Sequence, residues 1–222
     1  MRFSHLFSLV LLTATFPVGA LADDSTDLYV SGKIIPGSCE LGLGNRGHFN
    51  FGRHSTDQLN PEGMTLLGTQ ETEFTIRCTG PTKIEFALYD NQEDTAVALP
   101  LRSYEGVTLT SDLASVGLGR SPDGSKIGAY MVELKKESFT DAGAPIGVLY
   151  QGSVADRWMP ATTNARFFPT QRLFSFGSVE PDAVSDISGT LRVSVGVAHD
   201  QGMLVNDEIE MDGDSTILLF YY

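Results

Sequence analysis

Basic residues, cysteine and long apolar runs are all scarce in this 222-residue chain. Lys and Arg number 15 against 28 Asp and Glu, so the formal net charge is −13. Without a basic cluster the chain lacks the electrostatic means to hold nucleic acid or an anionic membrane surface. Beyond residue 22, no apolar run approaches the roughly 20 residues that a membrane-spanning helix needs. The sequence therefore predicts no nucleic-acid partner and no membrane insertion once a leader has been removed.

The long apolar stretch that does occur lies at the N-terminus and has the features of a secretory leader. Arg2 gives it a positive start, Leu6 to Phe16 is too short to span a bilayer, and Ala20-Leu21-Ala22 fits the A-x-A cleavage pattern. We predict a signal peptide over residues 1–22 and an exported protein. No linker, repeat or low-complexity tract divides the remainder, which is long enough for one large domain.

Cys39 and Cys78 are the only cysteines. An even count in an exported chain favours a disulfide because the compartment is oxidising, whereas a zinc site would need further ligands nearby. Two free thiols are the alternative. A bridge that closes a loop of about 40 residues would stabilise the fold by roughly 4 kcal/mol, because it restricts the unfolded chain.

Helical periodicity is absent as well, since no segment keeps a 3.6-residue apolar repeat over three turns. Short alternating stretches separated by turn residues predict an all-β sandwich. The turn-rich, weakly alternating sequence of residues 90–125 and 152–185 predicts long loops or extra short strands there. The predicted strands are Leu28–Ile35, Gly47–Gly52, Thr72–Cys78, Ile84–Leu88, Lys126–Lys135, Val148–Gln151, Gly189–Val197 and Ser215–Tyr222. The predicted core residues are Phe49, Phe51, Phe74, Ile76, Ile84, Phe86, Leu88, Val193, Val195 and Val197.

The last predicted strand, Ser215–Tyr222, is apolar on both faces, because both alternating sets of side chains are aliphatic or aromatic. Such a strand belongs inside a sheet and needs a backbone partner on each edge. We expect an earlier segment or another chain to supply the second partner. The residues assigned to this open edge are Ile217, Leu219, Tyr221 and Tyr222.

Several stretches resemble the subunits of chaperone-usher pili. From Leu28 to Cys39 the chain has alternating apolar residues, a glycine, two aliphatic residues and then a cysteine, and Cys78 ends an alternating strand. The penultimate Tyr221 on an alternating last strand matches the C-terminal signature of that family. Two further stretches, residues 116–130 and 211–217, resemble a less characterised branch of pilin-like exported bacterial proteins.

The resemblance implies an immunoglobulin-like, pilin-type β-sandwich over residues 36–222 that lacks its final strand. Residues 23–35 would form a donor strand, continuous with the first strand, whose Thr26, Leu28 and Val30 enter the groove of another subunit. The implied function is a structural or minor subunit of an adhesive surface pilus. The implied partners are a periplasmic chaperone, an outer-membrane usher, neighbouring pilus subunits and a host or surface glycan. The protein would pass through the periplasm to a cell-surface fimbrium.

One departure from the family pattern leaves an alternative open. Only five residues, three of them Asp, lie between the predicted cleavage site and Leu28, so the donor segment is short and acidic. The alternative is an exported pilin-like binding protein that does not polymerise and that recognises a carbohydrate.

Motifs that carry chemistry are few, and we predict no enzyme, no cofactor and no metal. The run Gly42–Gly47 spells G-x-G-x-x-G, but a strand-like segment follows it instead of the helix that dinucleotide binding needs. His54 with Asp57, or His199 with Asp200, could seat a catalytic base, yet no nucleophile is placed beside either pair.

Two further features have competing interpretations. The acidic run of Asp207, Glu208, Glu210, Asp212 and Asp214 offers hard oxygen ligands for Ca²⁺, but a solvated strand face followed by a turn explains the same residues, and we assign no metal to them. The single tryptophan, Trp158, could stack on a sugar ring or cover the rim of the core.

Overall fold

The computed structural model describes residues 26, 28–32, 37–97, 101–102, 108–109, 114–152, 157–169, 171–198 and 208–221. The chain divides into two units, residues 1–35 and residues 36–222. The described part of the second unit is nearly all β, which confirms the predicted fold class. No helix in the described ranges combines the length and the apolar character that crossing a membrane would require.

The strands range from two to 19 residues. Two short 3-10 turns, Gly44–Gly47 and Thr56–Gln58, follow the first strand. The strands are β1 Cys39–Leu43, β2 Met64–Thr82, β3 Ile84–Asp90, β4 Leu101–Arg102, β5 Thr108–Leu109, β6 Val116–Gly117, β7 Gly128–Leu134, β8 Thr140–Asp141, β9 Ala144–Pro145, β10 Val148–Gly152, β11 Met159–Pro160, β12 Ala165–Arg166, β13 Arg172–Phe176, β14 Val184–Ala198 and β15 Ser215–Tyr221.

Two antiparallel sheets form the sandwich. Sheet A has the strand order β1-β2-β14-β7-β12, with β6, β8 and β9 attached at its sides, and sheet B has the order β11-β10-β13-β3-β15. The long strands β2 and β14 pair from Val184 opposite Thr82 to Ala198 opposite Met64 and so form the spine of sheet A. The strands β4 and β5 pair with each other and form a separate two-stranded sheet.

Aromatic rings fill one half of the space between the sheets. Their centroids lie 4.6 to 6.1 Å apart, mostly in the tilted arrangements that aromatic pairs prefer. The six rings are Phe74, Phe86, Phe139, Phe167, Phe174 and Phe176, and all are buried. In the other half the inward residues of β14 are the smaller Val193, Val195 and Val197.

Eight of the ten predicted core residues are buried, from Phe74 to Val197. Phe49 and Phe51 are only half-buried and pack against the edge of the core. Both lie in an irregular segment, so the prediction of a strand over Gly47–Gly52 is wrong. The reason is the preceding turn, in which Asn45 and Arg46 adopt left-handed backbone angles (φ 51° and 53°) and lead the chain away from its ladder with β2.

The first strand also differs from its prediction. Residues 28–32 are not in a strand, and residues 33–36 lie outside the described part of the chain. The first strand of the sandwich is β1, which begins at Cys39, four residues after the end of the predicted strand. Apolar alternation in residues 28–32 therefore does not mark a strand within this chain, because a strand also needs a ladder partner.

Candidate functional site

Two strand edges lie side by side at the open side of the sandwich. β15 pairs with β3 along its whole length, from Ser215 opposite Asp90 to Tyr221 opposite Ile84. β1 pairs with β2 from Cys39 opposite Cys78 to Leu43 opposite Phe74. Each is the outermost strand of its sheet, and its second edge has no strand partner among the described residues. The backbone groups on such an edge can accept another strand.

The two edges are joined at one end. Cys39 and Cys78 form the predicted disulfide, which links β1 to β2 across a directly opposed pair. The hydroxyl of Tyr221 accepts a hydrogen bond from the Cys39 N–H at 3.1 Å and donates one to the Cys39 carbonyl at 3.0 Å. Tyr221 thereby closes the gap between β15 and β1 at this end.

Away from Tyr221 the two edges border a cavity of about 1170 Å³, which we call the edge cleft. Its two lips are Leu41 and Leu43 of β1 and Ser215 and Ile217 of β15. The walls between the lips are side chains from strands of both sheets and from the segment between β6 and β7, and they are mainly aliphatic. They are Leu67, Leu88, Leu118, Ile127, Tyr130, Val132, Leu191, Val193, Val195 and Val197. An apolar cleft with open backbone along its rim fits an extended peptide whose alternate side chains are apolar.

Two irregular segments complete the rim of the edge cleft. Residues 48–59 on the β1 side place Phe49, Phe51 and Leu59 against the core. Residues 208–214, which lead into β15, place Ile209 and Met211 against it from the opposite side. An ion pair between Arg53 and Glu208, 3.0 Å apart, joins the two segments, but both side chains are exposed and such pairs contribute little stability.

The segment 208–214 is fixed by contacts with a buried tyrosine and its neighbours. The Asp212 N–H donates to the Leu118 carbonyl at 3.0 Å, and a Cβ on Gly213 would lie 2.7 Å from the ring of Tyr130. Only glycine fits this approach without displacing the ring. Burial raises the pKa of the Tyr130 hydroxyl above its usual value, although a hydrogen bond to Ser215 opposes this shift. The β15 end of the cleft is therefore held by close packing and by a neutral phenol.

The predicted donor residues lie in the first unit of the chain. Thr26 is exposed, and Leu28 and Val30 have 88% and 91% of their surface open to solvent. Both aliphatic side chains are therefore available to an apolar partner surface. Of the predicted edge residues, Ile217 lines the cleft, Leu219 packs against the core and Tyr221 closes the end. Tyr222 lies outside the described residues.

The other candidate residues are not brought together into a site. Gly42 lies in β1, and the turn after it is a short 3-10 turn. His54 contacts the Phe51 carbonyl at 2.8 Å, while Asp57 accepts a hydrogen bond from Ser55. The pair His199 and Asp200 lies outside the described residues.

The acidic run and the tryptophan also have structural surroundings. Glu208 pairs with Arg53, and Asp212 accepts a hydrogen bond from the Gln92 amide at 3.4 Å. Among the residues that the structure describes, no group of three or more His, Cys, Asp or Glu side chains could hold a metal ion. Asp207 lies outside that part. Trp158 is half-buried beside β11.

Several residues of the edge cleft were missed by the sequence analysis. Leu41 and Leu43 alternate directly after Cys39, which is a strand signal that could have placed the first lip of the cleft correctly. Ile209 and Met211 alternate in the same way before the turn at Gly213. Leu67 carries no such signal, because its inward position results from a register shift between β2 and β14.

Comparison with known proteins identifies the family. A family model described as "Protein of unknown function (DUF1120)" matches residues 28–131. Protein GltF of Escherichia coli (strain K12) is 30% identical over an alignment of 236 positions. The alignment covers 91% of this chain and 91% of GltF. The chain belongs to the DUF1120 family. The uncharacterized protein YhcF of the same organism is 26% identical over an alignment of 235 positions. That alignment covers 96% of this chain and 97% of YhcF.

The DUF1120 match contains one side of the edge cleft. It begins at Leu28, includes both cysteines and all of β1, β2 and β3, and ends inside β7 at Met131. The similarity to the two E. coli proteins extends over at least nine-tenths of the chain. None of the three descriptions names a ligand or a partner, so the resemblance to pilus subunits stays a prediction.

Proposed function

We propose that this DUF1120 protein is a structural or minor subunit of a surface pilus, assembled when a neighbouring subunit inserts a strand into the edge cleft. The observation that carries this proposal is the apolar cleft between two outermost strands, β1 and β15, whose second edges lack a strand partner among the described residues. The sandwich would then be immunoglobulin-like and one strand short. An inserted strand would pair its backbone with β15 and place alternate side chains inside the cleft.

The N-terminal segment supplies suitable chemistry for the inserted strand. Thr26, Leu28 and Val30 are alternate residues, and the two aliphatic side chains are almost fully exposed. Moving both from water into an apolar cleft is favourable by about 1.5 to 3 kcal/mol each. β15 is seven residues long and spans about 24 Å, so a donor of similar length would pair along Ser215 to Phe220, up to the point where Tyr221 closes the cleft.

The proposed assembly partners follow from the tendency of an open strand edge to pair with other chains. An apolar strand edge promotes aggregation, so a periplasmic chaperone would cover the cleft until the outer-membrane usher brings two subunits together. On this proposal the protein is exported, and the completed fibre serves adhesion at the cell surface. A surface glycan is the proposed adhesion ligand.

The experiment measures whether an added strand stabilises the protein. The chain without residues 1–35, which keeps the compact unit of residues 36–222 and lacks its own donor segment, is titrated with a synthetic peptide of residues 23–35, and its melting temperature is followed. A ligand that binds only the folded protein stabilises it, by about 2.7 kcal/mol at a hundred times its Kd. We expect a clear rise in melting temperature that grows with peptide concentration.

Two altered peptides of equal charge provide the control. Changing both Leu28→Asp and Val30→Asp should abolish the stabilisation, because each carboxylate would have to enter an apolar cleft without a partner. Changing both Ser25→Asp and Ser31→Asp adds the same charge to the alternate set and should leave stabilisation largely intact. If neither the natural peptide nor a co-expressed chaperone stabilises the protein, the pilus proposal is wrong. The alternative of an exported, non-polymerising binding protein then replaces it.

A further inference from the structure

The outer face of β15 is apolar as well as its inner face. Ile217 and Leu219 point inward toward the core, whereas Leu218 and Phe220 point outward and keep 42% and 36% of their surface exposed. On the neighbouring strand β3, the small Ala87 stands opposite Leu218 and Glu85 stands opposite Phe220. A sheet edge that is apolar on both faces fits a partner strand that is apolar on both faces.

The segment around Leu28 has this property. Leu28 and Val30 belong to one alternate set, and Tyr29, which lies between them, belongs to the other. When the first set enters the cleft, the tyrosine must stand on the outer face of sheet B, since successive side chains of a strand point to opposite faces. It would then lie beside the outward residues of β15.

Charge order favours one direction and one register for the added strand. The segment is acidic at its start, with Asp23, Asp24 and Asp27, and has a basic residue at Lys33. The subunit that accepts the strand is acidic where β15 begins, at Asp212 and Asp214. At the other end of β15, Lys83 precedes the β3 residue that pairs with Tyr221. An antiparallel strand brings unlike charges together at both ends, whereas a parallel strand brings like charges together.

In the antiparallel register that sets Lys33 opposite Asp214, apolar side chains of the two strands stand opposite each other on both faces. On the inner face Leu28 stands opposite Leu219 and Val30 opposite Ile217, and the latter pair lies at the cleft. On the outer face Tyr29 stands opposite Leu218 and diagonal to Phe220. Directly opposed side chains have Cβ atoms about 4.5 to 5.5 Å apart, close enough for an aromatic ring to contact both.

We propose that β15 recognises the strand inserted by a second copy of this chain on both faces, with Tyr29 of that strand packed on Leu218 and Phe220. This inference rests on the proposed function and adds the outer-face contact and the register to it. A strand with a polar residue in place of the tyrosine would fill the cleft but leave the outer apolar pair in water. The outer face therefore favours this chain over other donors of similar cleft-facing sequence.

The position of Tyr29 is tested by cross-linking two differently tagged copies of the chain without residues 1–22. One copy carries Tyr29→Cys and the other Leu218→Cys. Mild oxidation should give a 29–218 disulfide between copies, identified by mass spectrometry of the linked peptides. The matched control replaces Tyr29→Cys with Leu28→Cys, which lies on the opposite face, and should cross-link at least about tenfold more slowly. Absence of the 29–218 product, or equal rates for the two pairs, overturns the inference.

The contribution of the tyrosine to recognition is measured with the peptide of residues 23–35. A Tyr29→Ser peptide should bind residues 36–222 of the protein about two- to five-fold more weakly than the unmodified peptide, the range expected for a cross-strand aromatic pair. On a protein with both Leu218→Thr and Phe220→Thr the loss should disappear. Equal losses on both proteins, or no loss on either, contradict the outer-face pairing while leaving the cleft proposal intact. Failure of the unmodified peptide to bind contradicts both.

Discussion

Tyr221 connects the edge strands of the two sheets through a single hydroxyl group. The hydroxyl both donates to and accepts from the backbone of Cys39, next to the disulfide. Because β1 and β15 have no ladder between them, these two hydrogen bonds hold the closed end of the edge cleft. The residue therefore limits how far the two lips can separate.

We expect Tyr221→Phe to lower the free energy of unfolding by about 0.5 to 1.5 kcal/mol, since the backbone groups of Cys39 exchange the hydroxyl for water. Urea denaturation of both proteins measures the change. Tyr89→Phe is the control, because the described residues supply no hydrogen-bond partner for that hydroxyl. Equal effects of the two substitutions would contradict the bridging role of Tyr221.

Tyr130 predicts a pH dependence at the other end of the cleft. Burial raises the pKa of its hydroxyl, so the folded protein keeps the phenol neutral at pH values where the unfolded chain ionises it. The stabilisation is complete below the unfolded pKa of about 10 and is lost as the pH rises above it. Alkali should therefore destabilise the natural protein through this residue.

The Tyr130→Phe variant should lose less stability than the natural protein between about pH 9 and 11, because it has no proton to release at this position. At pH 8 it should be slightly less stable, since the hydrogen bond with Ser215 is gone. Denaturation curves at both pH values give the comparison. Parallel losses in the two proteins would show that ionisation of Tyr130 does not contribute.

At the scale of elements, a row of charged side chains crosses four strands of sheet A. Arg192 of β14 lies 2.9 Å from Glu71 of β2 and contacts Glu133 of β7, and Arg166 of β12 lies 3.1 Å from the same Glu133. The row follows the register, in which Arg192 stands opposite both glutamates. Glu133 and Arg192 are buried, so this row is a buried network instead of a set of surface pairs.

Glu133→Gln should lower the free energy of unfolding by about 3 to 5 kcal/mol, because it removes the buried carboxylate that Arg166 and Arg192 share, while Arg192 keeps its pair with Glu71. The matched control is Asp186→Asn, which breaks the exposed pair with Arg77 and should change stability by at most about 1 kcal/mol. Chemical denaturation measures both. A loss for Glu133→Gln no larger than that of the control would contradict a buried network.

The accuracy of the predicted elements depended on whether alternation coincided with a ladder. Residues 84–88 and 215–221 alternate and have a partner strand, and their strands occur where predicted. Residues 47–52 alternate too, but the turn at Asn45 and Arg46 separates them from β2. The strand β13 lies within residues 152–185, for which the sequence predicted long loops or extra short strands without placing any, because the surrounding turn residues weakened the alternation of Phe174 and Phe176.

At the scale of the whole molecule, the disulfide fixes β1 to the spine of sheet A. Cys39 and Cys78 are 39 residues apart in sequence and stand directly opposite each other. Since β1 is only five residues long and pairs only with β2 among the described residues, its ladder alone gives it little support. The disulfide therefore also maintains one lip of the edge cleft.

Replacing both residues, Cys39→Ser and Cys78→Ser, should lower the free energy of unfolding by about 2 to 5 kcal/mol. It should also weaken binding of the peptide of residues 23–35, because the lip formed by Leu41 and Leu43 is no longer held to β2. Denaturation and peptide titration at a temperature where the variant is still folded separate the two effects. Unchanged peptide affinity in the folded variant would contradict the role of the disulfide at the cleft.

The sequence alone determined the class of fold, the disulfide and the two-faced apolar character of the last strand. These properties depend on residue type and spacing along a short stretch, and local steric and hydrophobic rules act over that range. Only the tertiary structure decided that β1 begins at Cys39, that β1 and β15 face each other across a cleft, and that Tyr221 closes it. These relations join residues up to 182 positions apart, and they depend on how the two sheets pack, which no local pattern specifies.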